Sequence, residues 1–204
     1  MEDLHEIVTR ARAFAVEAHG PQLYSGVPYV HHLDMVRRVL LRFKADATPE
    51  FQAAALLHDV IEDTPRNYSD VERAFGAQVA ELVYLLTDEL GRNRHERHAK
   101  TYPKIKGHYM ATTLKLADRI ANVEHSIQAG DEPHLSMYRR EHFDFLAGVG
   151  PEGPEDMWSH LTWLMNKQAF KAPENCWVTD ADLACVGCGN RPSRPYCNLS
   201  PALS

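Results

Sequence analysis

The run Leu56-Leu57-His58-Asp59-Val60-Ile61-Glu62-Asp63-Thr64 sets two metal-ligand residue types side by side and two further carboxylates one helical turn later, inside an otherwise apolar stretch. Such residues could hold a divalent cation and supply a proton acceptor beside it. On a helical wheel with His58 at zero and about 100° per residue, Glu62 falls near 40°, Asp59 near 100° and Asp63 near 140°, with Val60, Leu57 and Ile61 spread over 200° to 300°. One face carries an imidazole and three carboxylates, and the other belongs to the core. No basic residue lies between Lys44 and Arg66, so the three carboxylates lack a local counter-ion. Partly buried, they would repel one another, a conflict that a divalent cation removes. The competing reading is three acids solvated at a helix end before Pro65.

A single helix directs too few ligands at one point, so a metal site needs partners from elsewhere. Tyr29-Val30-His31-His32 offers one imidazole at the start of a second helix, from either His31 or His32. Leu114-Lys115-Leu116-Ala117-Asp118-Arg119-Ile120-Ala121-Asn122 presents Asp118 beside an apolar stripe, with Lys115, Arg119 and Asn122 on the same side. An acid flanked by cations suits a site that joins a metal to an anionic substrate. Taken alone it equally describes a surface ion pair.

The elements that must position these residues are helical. Leu4, Ile7, Val8, Ala11, Phe14, Ala15 and Ala18 recur at helical spacing, so residues 3–19 form an amphipathic helix that stops at Gly20-Pro21. Further helices are expected at about 30–43, 49–63, 68–75 and 77–87, the last two broken at Gly76. Residues 88–103, dense in Arg, His and Glu, read as a mobile connection. A long helix should follow at about 103–128 with a weak point at Gly107, and helices at about 137–146 and 157–170 complete the set. No stretch alternates as a strand would, which predicts an all-α bundle. Residues 172–204 hold all four cysteines and little apolar periodicity and read as an irregular tail, leaving 1–171 as the main domain.

A chain of 204 residues with net charge -6 excludes nonspecific binding to nucleic-acid backbone as its main business, while leaving room for a local phosphate pocket. No segment reaches the apolar length of a membrane span. The acidic start Met1-Glu2-Asp3 does not resemble a secretory signal, so a cytoplasmic protein is expected.

The order Tyr29-x-x-His32, then Leu57-His58-Asp59-Val60-Ile61-Glu62-Asp63-Thr64, then Lys115-Leu116-Ala117-Asp118-Arg119-x-x-Asn122 resembles the histidine-aspartate metal-dependent phosphohydrolases. More narrowly it is similar to the hydrolase domain of RelA/SpoT proteins and their stand-alone small alarmone hydrolases, and Phe75-Gly76-Ala77-Gln78-Val79 and Leu86-Thr87-Asp88 match the intervening segment. The resemblance covers about residues 5–128. It implies an HD-type helical bundle and one Mn²⁺ held by His32, His58, Asp59 and Asp118, His32 being favoured over His31 by its distance from Tyr29. It further implies that Glu62 and Asp63 orient and deprotonate water, and that Asn122 lies near the nucleotide sugar and phosphate. The implied reaction removes pyrophosphate from the 3′ position of guanosine tetra- or pentaphosphate, giving GDP or GTP, as the counterpart of an alarmone synthetase in the stringent response.

Three departures bear on the substrate. The loop Gln22-Leu23-Tyr24-Ser25-Gly26 is one residue short and lacks the family's basic residue; Tyr24 could stack on a purine there or cover the edge of the core. Leu33 replaces a proline, and Glu124 stands near where the family has an arginine. Arg92, Arg94, Arg97, Lys100, Lys104 or Lys106 could supply compensating charge. An adenine analogue such as ppApp, or the 2′-phosphate of NADPH, is therefore an alternative substrate, and a noncatalytic nucleotide sensor is a third reading. Such a sensor would be marked by loss of the Glu62-Asp63 pair or of a metal ligand, and neither is lost. Cys176, Cys185, Cys188 and Cys197 could close a structural Zn²⁺ site around the knuckle Cys185-Val186-Gly187-Cys188, or remain free thiols in a reducing compartment.

Overall fold

The computed structural model describes residues 4–45 and 47–166, all within the unit Met1–Ala169. The four cysteines, and the expected boundary at 171/172, lie outside the described residues. Among these residues the fold is helical: α1 (Leu4–His19), α2 (Val30–Arg42), α3 (Pro49–Leu57), α4 (Val60–Asp63), α5 (Tyr68–Phe75), α6 (Ala77–Leu86), α7 (Arg94–Ile105), α8 (Tyr109–Ala129), α9 (Glu132–Val149) and α10 (Glu155–Asn166). No helix among them is long and apolar enough to cross a membrane.

The core forms around α3, which is apolar without interruption from Ala53 to Leu57. Phe51, Ala53, Ala54, Ala55, Leu56 and Leu57 are all buried, so α3 runs through the middle and packs against α1, α2 and α6. Thr48 starts it by accepting a hydrogen bond from the Phe51 N–H at 3.2 Å, with Pro49 in the first turn, where its missing N–H costs nothing. The long α8 crosses beside α2, α6, α9 and α10. It buries Leu114, Leu116, Ala117, Ile120, Ala121 and Val123 and leaves Lys115, Asp118 and Asn122 to one side.

The structure corrects four expectations. The helix expected over 49–63 is interrupted at His58-Asp59, where φ and ψ of Asp59 are -98° and -2° before α4 resumes. The 88–103 segment is not a mobile connection: α7 occupies most of it, capped by the Asn93 side chain accepting from the Glu96 N–H at 2.9 Å. Its buried positions, His98, Thr101, Tyr102 and Ile105, have helical spacing, but their polar types hide the apolar stripe. Gly107, at φ +84°, ends that segment, so the next helix starts at Tyr109 rather than near 103. Last, residues 23–28 form a small antiparallel hairpin, β1 (Leu23–Tyr24) with β2 (Val27–Pro28), pairing Leu23 with Pro28 and Tyr24 with Val27. Ser25 and Gly26 both have positive φ, as a tight primed turn requires.

The approach of α9 to α7 depends on Gly148. A Cβ there would collide with the Tyr102 ring, which is itself stacked on His98 and edge-on to Phe145. Gly148→Ala should therefore destabilise the fold by about 1–3 kcal/mol through overpacking, read as a lower urea midpoint with an unchanged slope.

Candidate active site

His58 and Asp59 are neighbours in sequence, and on a regular helix their side chains would diverge by about 100°. At the turn that interrupts the helix the two side chains nevertheless meet at their ends: Nε2 of His58 lies 3.0 Å from Asp59 Oδ2. His32, in the first turn of α2, brings its Nε2 to 3.5 Å from the same oxygen. Asp118 arrives from α8 with Oδ1 at 3.4 Å from His32 Nε2 and 3.8 Å from His58 Nε2. His32 and His58 are 2% and 1% exposed, whereas the adjacent His31 faces solvent. His32, His58 and Asp59 offer three ligand atoms within 4.8 Å of one another, and Asp118 borders that group.

The donor chemistry fits a cation. Nδ1 of His58 lies 2.9 Å from the Ala55 carbonyl; a carbonyl only accepts, so Nδ1 carries the proton and Nε2 presents a lone pair. That Nε2 is buried and makes no hydrogen bond, although two carboxylates lie within 4 Å. Lone pairs of imidazole and carboxylate converging on one point are what a divalent metal takes up. The local field has the matching sign. Burial opposes a charge on His58, but Asp59 and Asp118 outweigh it and hold its pKa well above the usual value. Burial likewise opposes ionisation of Asp59 and Asp118, and the two histidines hold both well below the usual carboxylate range.

Around this group the hydrogen bonds are specific. The Tyr29 hydroxyl donates to Asp59 Oδ2 at 2.6 Å. Asn122 Nδ2 donates to Asp118 Oδ1 at 2.6 Å, and Asn122 Oδ1 accepts from the Tyr24 hydroxyl at 2.8 Å. The Tyr24 ring lies flat on His32, with centroids 4.8 Å apart, and also touches His125 and Tyr29. Tyr24 is thus a wall of the site with its hydroxyl already engaged. Lys115 Nζ is 3.7 Å from Asp118 Oδ2. Burial works against its charge, but Asp118, Asp88, Asp59 and Glu62 raise its pKa, so it stays an ammonium.

Glu62 and Asp63 follow on α4. Glu62 Oε2 accepts from the Asp88 N–H at 2.9 Å, and Asp63 Oδ2 accepts from Gln22 Nε2 at 3.0 Å. The Glu62 side chain reaches solvent, yet crowding of its carboxyl, together with the charges of Asp59 and Asp88, raises its pKa. Of the cations expected to compensate for the missing basic residue, Arg94 pairs with Glu141 at 2.8 Å, Arg92 with Glu96 at 2.9 Å, Lys100 with Glu96 at 3.4 Å and Lys104 with Glu89 at 2.8 Å. Arg97 approaches Asp88 at 4.0 Å. Glu124 bonds to Arg42 and His160, each at 2.7 Å, joining α8 to α2 and α10 as part of the framework.

Sequence reasoning gave no role to Tyr29, Gln22, His19 or Asp88. For Tyr29 the signal was its spacing to His32. For Asp88 it was the match of Leu86-Thr87-Asp88 to the intervening segment, which does not point to the contact with Glu62 26 residues away, and for Gln22 there was none, because it meets Asp63 41 residues away.

His98, on the Asp88 side, gives a stability prediction. Burial, then the charges of Arg94, Lys115 and Arg119, lower its pKa from 6.5 to about 3. An unfolded chain takes up this proton below 6.5 while the folded one does not until about 3, so stability should fall as pH drops through that window. His98→Gln should flatten the urea midpoint against pH between those limits relative to the parent chain.

Comparison with known proteins places the site in context. The sequence pattern of the HD domain family matches residues 11–147. The bifunctional (p)ppGpp synthase/hydrolase SpoT of Escherichia coli K12 is 40% identical over 133 residues, which are 60% of this chain and 18% of that protein. The chain thus spans about a fifth of the length of that relative. The guanosine-3′,5′-bis(diphosphate) 3′-pyrophosphohydrolase MESH1 of Danio rerio is 32% identical over 141 residues, covering 67% of this chain and 78% of the relative. A solved structure of a metazoan SpoT orthologue described as hydrolysing ppGpp superposes with a TM-score of 0.62 at 25% identity, over 78% of this chain and 93% of the other.

Proposed function

This chain belongs to the HD domain family, and on that footing we propose that it is a Mn²⁺-dependent hydrolase of the 3′-pyrophosphate of guanosine tetra- and pentaphosphate. The observation that carries this reading is the buried convergence of His32, His58, Asp59 and Asp118, with the unbonded Nε2 of His58 at its centre and two carboxylates on the following turn. MESH1 and SpoT relatives that bear the name of this activity support it.

Two imidazoles and two carboxylates form a mixed nitrogen and oxygen set that suits Mn²⁺. When bound, the ion supplies Lewis acidity toward a phosphoryl oxygen and lowers the pKa of water. The remaining work belongs to side chains. Glu62, fixed by the Asp88 N–H and with raised proton affinity, accepts the proton of the attacking water. Asp63, held by Gln22, orients that water from the other side. Lys115 keeps its charge among the carboxylates and receives a phosphate oxygen. The Tyr24 ring gives the nucleotide an aromatic wall, and Asn122 lies toward the sugar while it orients Asp118. The products are GDP or GTP and pyrophosphate, which makes the protein the degradative counterpart of a 3′-pyrophosphate-transferring synthetase.

A second reading has a specific observation behind it. Residues 22–26 contain no cation, and the Tyr24 hydroxyl is bound to Asn122, so nothing in the hairpin selects guanine by charge. Adenine analogues, or the 2′-phosphate of NADPH, then compete. Incubating the protein and Mn²⁺ with ppGpp, pppGpp, ppApp and NADPH separates the readings. Pyrophosphate release, fastest from the guanosine compounds, is expected. Orthophosphate from NADPH alone would establish the alternative, and binding without turnover would indicate a nucleotide sensor.

A further inference from the structure

His19 is 6% exposed, ends α1 and has no part in the chemistry above, yet two connections run from it to the site. The first passes through Gln22. The Asp63 carboxylate only accepts, so the Gln22 group facing it at 3.0 Å is the Nε2 amide. The amide oxygen therefore faces His19 Nδ1 at 2.8 Å, and that nitrogen must donate. His19 thereby sets which way the Gln22 amide points; flipped, it would turn an oxygen toward Asp63. The second connection passes through Tyr29. The His19 ring lies flat on the Tyr29 ring, with centroids 4.4 Å apart and planes at 19°, and the Tyr29 hydroxyl donates to Asp59 at 2.6 Å. Backbone bonds fasten the three residues to one another: Gln22 N–H to the His19 carbonyl and Tyr29 N–H to the Gln22 carbonyl, each 3.0 Å.

We propose that His19 is a positioning residue that acts in two separable ways, through its Nδ1–H and Gln22 on Asp63, and through its ring face and Tyr29 on Asp59. The proposal rests on the roles given above to Asp59 and Asp63. The imidazole does two jobs with two different features, so different substitutions can remove one and leave the other. His19→Phe keeps a flat ring against Tyr29 and removes the donor. His19→Asn keeps a donor near the position of Nδ1 and removes the ring.

The test measures Mn²⁺ affinity by calorimetry, kcat and KM, and the Gln22 side-chain amide resonances in both variants, with melting curves confirming a folded chain. His19→Phe should lower kcat by roughly tenfold or more through misplacement of Asp63, with KM and Mn²⁺ affinity held and the Gln22 amide shifts moving toward free-solvent values. His19→Asn should keep the Gln22 shifts and weaken Mn²⁺ binding by roughly tenfold, the scale of lost outer support for a ligand. Variants that change both quantities alike, or neither, would overturn the proposal and leave His19 a packing residue. Should the parent chain bind Mn²⁺ but hydrolyse nothing, the hydrolase reading fails by itself, and the amide shifts with the Mn²⁺ affinities still decide for or against His19.

Discussion

Asp59→Ala is expected to abolish metal binding and hydrolysis together. One oxygen of this residue, Oδ2, meets His58 Nε2 at 3.0 Å, His32 Nε2 at 3.5 Å and the Tyr29 hydroxyl at 2.6 Å. It is the only carboxylate in the tightest group of ligand atoms among the described residues. Its removal leaves two imidazoles and the single carboxylate of Asp118 to hold a dication, and strands the half-buried Tyr29 hydroxyl without its acceptor. Loss of an outer-shell partner typically costs a metal site about 10–100-fold in affinity, and removal of a ligand that touches every other member of the group should exceed that. Calorimetric titration with Mn²⁺ checks the binding arm and pyrophosphate release the catalytic one; the two losses must appear in the same variant. The chain should remain folded, because the desolvated carboxylate that disappears offsets part of the cost of the unpaired hydroxyl.

Glu62→Gln is expected to separate the same two properties. The substitution preserves shape and leaves an amide oxygen to accept the Asp88 N–H, which Glu62 Oε2 meets at 2.9 Å, so α4 and the ligands behind it should not move. What is lost is a group able to take a proton. General-base removal costs roughly 10²–10⁴ in rate, so kcat should fall by that factor while Mn²⁺ affinity changes little. A variant with full turnover would remove Glu62 from the chemistry and pass the role of proton acceptor to Asp63.

The contrast between the two variants follows from how the chain builds the site. The pairing of His58 with Asp59, and of Glu62 with Asp63 a turn later, was legible because apolar residues surround them and no cation lies nearby in sequence. Asp118 was legible only in combination with these. What the wheel could not show is the interruption at Asp59, because no glycine or proline marks it in the sequence. Helix α7 was obscured for the opposite reason, since His98, Thr101 and Tyr102 fill core positions with polar types. The hairpin at 23–28 has strands of two residues, too short for any alternation to register. The contact of Gln22, just before it, with Asp63 and that of Tyr24 with Asn122 span 41 and 98 residues, distances over which local pattern carries no information.

Those contacts also alter the picture of the substrate side. Tyr24 stands in a loop whose residues 22–26 hold no cation, and its ring is held against His32 while its hydroxyl serves Asn122. On the proposed reading, the nucleotide base would meet the aromatic surface of Tyr24, and the phosphates would meet Lys115, rather than a cation in the hairpin.

The most direct test of the central claim uses protein stripped of metal by chelation and supplied with ppGpp, with products separated before and after Mn²⁺ is restored. No turnover is expected in chelator, and GDP with pyrophosphate in equal amounts once Mn²⁺ is returned. Hydrolysis at the same rate in chelator, or Mn²⁺ binding that leaves ppGpp intact, would contradict it.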